Sequence, residues 1–173
     1  MPVSSNVRRQ NSHLAPVLTL KTQNMADTRV QLEVEDWVRT NWMRETYGQK
    51  FARERVKLRS GGKFDFDAVS SDDTIVASIS TSASITSGGK NGVGKMMKIR
   101  SDMLFLSMAE AKRRIVVLTE KDMFDKCISE VNGGRVPPEI EFALAVIPDD
   151  LREKLKKARD LSSKEVSPKY TDA

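Results

Sequence analysis

Two adjacent glycines followed by alternating apolar and acidic residues, Gly61 to Val69, limit how this chain can fold more than any other stretch. The glycines favour a tight turn, and the alternation with a period of two predicts a β-strand after it. The predicted apolar face holds Phe64, Phe66 and Ala68, and the opposite face holds Asp65, Asp67 and Val69. Carboxylates on a half-buried strand are unfavourable unless a ligand or a partner uses them. This strand is therefore the first candidate for a functional site.

A second strand is predicted close behind the first, from Thr74 to Ser82, after a short polar turn. One of its faces holds Val76, Ser78, Ser80 and Ser82, and the other holds Ile75, Ala77, Ile79 and Thr81. Two strands joined by such a short turn form a β-hairpin. This hairpin would set Asp67 beside Ser78 and Ser80.

The hairpin resembles that of the PD-(D/E)XK nuclease superfamily, also called restriction-endonuclease-like. In that superfamily the first strand ends in an Asp, often within a Phe-Asp-Ala-Val sequence, and the next strand carries Glu-x-Lys. Here Phe66-Asp67-Ala68-Val69 matches the first element, and Ser78-Ile79-Ser80 begins eleven positions after Asp67, where Glu-x-Lys belongs. The order of predicted elements from Leu32 to Leu161 also resembles the superfamily.

The rest of the chain predicts helices that alternate with further strands. The predicted elements are a helix from Asp27 or Thr28 to Tyr47, a strand from Phe51 to Arg59, a helix from Lys95 to Ala111, a strand from Arg114 to Thr119, a helix from Lys121 to Val131, a strand from Ile140 to Ile147 and a helix that starts at Pro148 and Asp149. A meander of strands followed by crossover helices gives a mixed sheet. The predicted fold is therefore α/β, a restriction-endonuclease-like mixed β-sheet of about five strands flanked by helices.

Residues 27–166 are predicted to form one such domain, between an N-terminal arm (1–26) and a polar tail (167–173). The arm contains Arg8, Arg9 and Lys21 but no acidic residue. It has too few apolar residues to build a core, so a disordered basic arm is predicted. Such an arm either touches phosphates or is an extension without a role, and the second interpretation is favoured.

The composition limits the partners more than it limits the reaction. A net charge of +5 and a pI of about 9.4 permit a nucleic-acid partner without requiring one. The single cysteine, Cys127, excludes an internal disulfide and suits a reducing compartment, so a cytoplasmic protein is predicted. No apolar run reaches the roughly 18 residues of a membrane helix, and no membrane partner is predicted. His13 is the only histidine, which excludes a His-based catalytic triad and a multi-histidine zinc site.

The resemblance implies roles for the residues of the hairpin. Asp67 would be a catalytic residue and a metal ligand, with Asp65 close by as a second carboxylate. Ser78 and Ser80 would hold the catalytic positions of the missing Glu and Lys. Hydroxyls are neutral and weak ligands for Mg²⁺, and Ser80 cannot supply a positive charge. The resemblance therefore implies Mg²⁺ as a cofactor only if the protein is an active enzyme.

The helices on either side of the hairpin offer further candidates. Superfamily members often take a metal ligand from the first helix, and Glu33, one turn before Trp37, is the stronger candidate, while Glu35 is interpreted as solvated. Some members also move an active-site residue to the helix after the motif strand. Lys95 as a catalytic residue and Asp102 as a metal ligand are the candidates for such a migration, because they lie seven positions apart on one helix edge. A peripheral ion pair between them is the favoured alternative.

A glycine-rich segment precedes that helix. Its end, from Gly89 to Lys95, matches the start of a phosphate-binding loop, but Met96 stands where a Ser or Thr would bind Mg²⁺. A nucleotide site is therefore disfavoured, and an anion-binding loop and a plain connector both remain. The predicted nucleic-acid contacts are Lys90, Lys95, Lys98 and Arg100.

Three functions follow from the resemblance. The first is a degenerate nuclease that keeps the fold and binds DNA, mainly through phosphates. The second is an active Mg²⁺-dependent DNA endonuclease in which Lys95 and Asp102, or Lys90, replace the lost groups. The third is a protein-interaction module on the same fold. The basic side chains of the strand after the first helix favour nucleic acid over the third function, and they are Arg53, Arg55, Lys57 and Arg59.

Overall fold

The computed structural model describes residues 28–85, 89 and 92–166, which contain four helices and five strands. These elements are α1 (28–47), β1 (Phe51–Lys57), β2 (Lys63–Ser70), β3 (Ile75–Ser80), α2 (Val93–Met108), β4 (Arg113–Leu118), α3 (Lys121–Asn132), β5 (Ile140–Leu144) and α4 (Asp149–Val166). The predicted arm, the polar tail and Lys90 lie outside the described residues. None of the helices in the described ranges combines the length and the apolarity needed to cross a membrane.

The five strands form one mixed sheet in the order β1-β2-β3-β4-β5. The pairs β1/β2 and β2/β3 are antiparallel, as expected of a meander. The pairs β3/β4 and β4/β5 are parallel, and the helices α2 and α3 make the two crossovers. The predicted α/β fold with a five-stranded mixed sheet flanked by helices is confirmed.

The sheet has a hydrophobic core on each face. Helices α1 and α4 cover one face, where Val34 and Leu155 pack against Ile79 of β3. Helices α2 and α3 cover the other, where Ile99 and Met123 share a core with strand residues from β2 to β5. All six residues of β3 are buried, as expected for a central strand between two helical layers.

A β-bulge interrupts β2 at the centre of the predicted motif. Ala52 pairs with Val69 and Glu54 pairs with Phe66, so one residue of β1 lies opposite two residues of β2. The extra residue reverses the alternation of side chains, and Ala68 packs in the core under α1 and α4. Phe66 and Val69 pack in the opposite core. The predicted grouping of Ala68 with Phe66, and of Val69 with the aspartates, is therefore wrong.

Helix α1 contains a π-helical turn over Val38–Trp42. Its fully buried positions are Val34, Val38 and Met43, and the last step of five residues is the spacing of a π turn. Trp42 packs only partly against the core, and Met43 beside it is fully buried. The helix ends at Tyr47 as predicted, and Gly48 after it has a left-handed backbone with φ of 68°.

Candidate functional site

The ladder between β2 and β3 ends beside Asp67. The last registered pairs are Val69 with Val76 and Ala68 with Ala77. Beyond them, the N–H of Ile79 donates to Oδ2 of Asp67 at 2.9 Å, so a side chain takes the place of a main-chain acceptor. The end of the paired β2/β3 ladder is here called the β2–β3 opening, and the carboxylate of Asp67 lies at it.

Arg39 fixes the backbone at the same point. Its Nη1 donates to the main-chain carbonyl of Asp67 at 2.7 Å, and its Nη2 donates to Asp36 at 2.7 Å. The side chain of Arg39 is only 13% exposed. It belongs to the π-helical turn of α1, a type of irregularity that often occurs at functional sites. Arg39 thus satisfies a polar group at the bulge and holds Asp67 in place.

Charged groups from both helical layers come close to Asp67. Glu35 belongs to α1 on one face of the sheet, and Lys98 and Asp102 belong to α2 on the other. The charge of Asp67 acts on all three side chains. Nζ of Lys98 lies 2.9 Å from Oδ2 of Asp102, and Lys98 stays 61% exposed while Asp102 is 10% exposed. Glu35, Asp67, Lys98 and Asp102 are called the acid–lysine cluster below.

The environment of Glu35 moves its pKa towards neutral pH. Burial, followed by the negative charge of Asp67, raises the pKa of Glu35 to about 7. The nearby positive charges of Lys98, Arg53 and Arg39 oppose this rise and do not cancel it. Glu35 is therefore close to half-protonated at neutral pH, where a carboxyl group can both accept and release a proton.

The ion pair on α2 is perturbed in a different way. Burial raises the pKa of Asp102, the charge of Asp67 adds to the rise, and the hydrogen bond from Lys98 only partly opposes it. Burial lowers the pKa of Lys98, but the hydrogen bond and charge of Asp102, with the charges of Asp67 and Glu35, outweigh burial and raise it. The lysine of the cluster consequently remains a cation at neutral pH.

Ser78 and Ser80 belong to the central strand β3. Both are buried, and the parallel register sets them opposite Val116 and Leu118, which belong to the core under α2 and α3. Helix α2 packs against both β3 and β4. The helix that carries Lys98 and Asp102 thus packs over the strand that carries the two serines.

Two of the predicted metal ligands have other partners. Glu33 is exposed, and its Oε1 lies 2.7 Å from Nζ of Lys154 on α4. Asp65 accepts two hydrogen bonds from Arg55, from Nε at 2.8 Å and from Nη2 at 2.7 Å. Neither carboxylate is among the described charges that act on the acid–lysine cluster. The structure brings Glu35 to Asp67 and leaves Glu33 at the neighbouring helix.

Lys95 is not the lysine that accompanies Asp102. Burial, followed by the charge of Arg159, lowers the pKa of Lys95, while Asp122 and Glu120 oppose this change. These neighbours belong to α4 and to the start of α3, so Lys95 lies in a separate group of charges.

The other two described residues that were predicted to contact phosphates, Lys98 and Arg100, have different surroundings. Arg100 forms an ion pair with Glu130 at 3.0 Å, which leaves Lys98 as the predicted contact that borders the acid–lysine cluster.

The sequence interpretation missed Glu35 and the pairing of Lys98 with Asp102. One signal was present, because Lys98 and Asp102 are four positions apart, the spacing at which helix side chains face each other. Lys95 and Asp102 are two turns apart and do not meet in this way. No comparable signal separated Glu35 from Glu33, since both flank the buried Val34.

The carboxylates of the acid–lysine cluster are of the type that binds Mg²⁺, but few of them are available to one ion. Within the described part of the chain, no three acidic, histidine or cysteine side chains are close enough to hold a metal ion together. Mg²⁺ in phosphate-processing sites commonly uses one or two carboxylates and completes its shell with water and substrate oxygens. Asp67 with Glu35 or Asp102 matches that smaller set.

Comparison with known proteins adds no constraint on this site. No protein-family model, no curated protein and no solved structure matches the chain. The functional interpretation therefore depends on the geometry of the acid–lysine cluster and its surroundings.

Proposed function

We propose that this protein is a metal-dependent phosphodiesterase that cleaves nucleic acid, built on the plan of the PD-(D/E)XK superfamily. In this proposal the lysine and one carboxylate of the strand motif have moved to α2. The observation that carries it is the convergence of Lys98 and Asp102 with Asp67 and Glu35 at the β2–β3 opening.

Each member of the acid–lysine cluster has a task in hydrolysis. Asp67 and Asp102 would hold Mg²⁺, which when bound would lower the pKa of water and offset phosphate charge. Lys98 stays charged and exposed, so it can attract the phosphodiester and stabilise the negative charge that grows on it. Hydrolysis also needs a group that accepts a proton from the attacking water, and Glu35 has a suitable pKa of about 7.

The proposed substrate is DNA, bound mainly through its phosphates. The net charge of +5 and the exposed Lys98 support an anionic polymer as the partner. Contacts to phosphates carry no sequence information, so cleavage of unrelated sequences at similar rates is expected. A cytoplasmic location is part of the proposal, supported by a single buried cysteine, Cys127.

The test is cleavage of plasmid and short duplex DNA by the full chain with Mg²⁺, with Mn²⁺ and with a chelator. Asp67→Asn and Lys98→Ala should each abolish metal-dependent cutting, because they remove a ligand and the cluster's cation. Lys95→Ala is the matched control, one turn away on the same helix, and should retain activity. Wild-type protein that cuts with neither metal, or equal losses in the two lysine variants, would refute the proposal.

A second candidate is a DNA-binding protein whose metal site no longer works. It is favoured by the absence of a three-ligand group among the described residues. This candidate predicts DNA binding without cleavage and weak affinity for Mg²⁺ and Mn²⁺ in calorimetry. Tight Mn²⁺ binding that disappears in Asp67→Ala would contradict it.

A further inference from the structure

Arg53 occupies a distinctive position on the edge strand β1. It is the residue of β1 that lies between the Ala52–Val69 and Glu54–Phe66 pairs, opposite the two bulged residues of β2. Those bulged residues include Asp67, the acid at the β2–β3 opening. The side chain of Arg53 is exposed to solvent. The bulge therefore places a solvent-exposed guanidinium next to the acid–lysine cluster.

The other arginines of this segment are already engaged. Arg55 donates two hydrogen bonds to the carboxylate of Asp65, and Arg59 donates one to the main-chain carbonyl of Ser107. Within the described ranges, Arg53 has no hydrogen-bond or ion-pair partner. A solvent-facing arginine with all its donors available can bind a phosphate with two parallel hydrogen bonds.

Arg53 and Lys98 approach the cluster from different elements of the fold. Its positive charge acts on Glu35 of α1 and on Asp65 of β2. Lys98 reaches Glu35 from α2, which covers the other face of the sheet. Two solvent-exposed cations therefore border the carboxylates, one from the edge strand and one from the helix.

We propose that Arg53 binds a backbone phosphate of the nucleic acid adjacent to the phosphodiester held at the acid–lysine cluster. The strand would then pass the β2–β3 opening with Lys98 on one side and Arg53 on the other. This inference rests on the proposed function for the identity of its ligand, a phosphodiester chain. A guanidinium that only balanced the charge of Glu35 would change proton affinity and leave phosphate binding unaffected.

The experiment measures equilibrium binding of a fluorescent DNA duplex by the full chain in chelator, over a series of salt concentrations. Arg53→Gln should weaken binding severalfold and lower the slope of log affinity against log salt by about 0.9, the value for one lost phosphate contact. Lys57→Gln is the charge-matched control, because Lys57 is exposed on the same strand further from the bulge. It should leave the slope unchanged, and Arg53→Lys should preserve the slope of the wild type.

The outcomes separate this inference from the proposed enzyme activity. Equal effects of Arg53→Gln and Lys57→Gln, or an unchanged slope in Arg53→Gln, would overturn the role of Arg53 even if the protein cuts DNA. A wild type that binds but does not cut, together with a slope change specific to Arg53→Gln, would support Arg53 and reject the nuclease. Failure of the wild type to bind DNA at low salt would overturn both.

Discussion

Replacing Glu35 with Gln should stabilise the folded protein at alkaline pH. Burial and the charge of Asp67 raise the pKa of Glu35 from 4.5 to about 7. A carboxyl with a higher pKa in the folded state binds its proton more tightly there. Its contribution to stability is therefore complete below pH 4.5 and is lost as the pH rises through about 7.

The size of the effect follows from that shift. At about 1.4 kcal/mol per unit of pKa, the full difference between the two states corresponds to about 3 kcal/mol. Glu35 is only partly buried, and solvent screening reduces this value to about 1–2 kcal/mol. Glu35→Gln cannot ionise, so it should exceed the wild type in free energy of unfolding by this amount above about pH 8.

Urea unfolding followed by tryptophan fluorescence provides the assay, since Trp37 and Trp42 both belong to α1. Unfolding curves at acid, neutral and alkaline pH should converge for wild type and Glu35→Gln near pH 4.5 and separate as pH rises. The matched control is Glu33→Gln, which removes an exposed ion pair with Lys154 and should destabilise by at most about 1 kcal/mol.

The reasoning would be refuted by a Glu35→Gln variant that is no more stable than wild type at alkaline pH. The same holds if the difference between the two proteins does not change with pH. Either result would mean that Glu35 is solvated in the folded protein, and it would remove the proton acceptor from the proposed site.

Two further changes test the surroundings of Asp67. Arg39→Ala should destabilise the protein by about 1–3 kcal/mol, measured by urea unfolding, because the carbonyl at the bulge loses its donor, and Arg39→Lys should recover part of the loss. The double change Ser78→Glu with Ser80→Lys should lower the melting temperature, because both positions are buried beneath α2 and the new charges would be desolvated. A double variant with the melting temperature of the wild type would show that solvent reaches the side chains at positions 78 and 80.

The order of helices and strands follows from local patterns in the sequence. The alternation from Lys63 to Ser70 and the apolar run of β4 depend on neighbours along the chain, so each element was predicted close to its observed place. The predicted helix starts differ more from the structure, as at α2, which begins at Val93 and not at Lys95. Parallel pairing of β3 with β4 followed from the helix between them.

The irregular positions could not be predicted in the same way. The bulge at Asp67 depends on how β1 and β2 are paired, and the π turn depends on how α1 packs against the sheet. Glu33 and Glu35 lie on either side of the buried Val34, and only the placement of α4 sends Glu33 towards Lys154. Sequence periodicity shows which residues border the buried face of a helix. It does not show which partners those bordering side chains contact in the folded protein.

The division of the acid–lysine cluster between two helical layers has a consequence for biosynthesis. A chain that has formed only the α1 layer holds Glu35 beside the hairpin but has no lysine there. A chain that has docked only α2 holds Lys98 and Asp102 without the acid from α1. If the cluster cuts DNA, neither unfinished species would be able to do so, and the cell's DNA would meet the activity only after both layers had docked on the sheet.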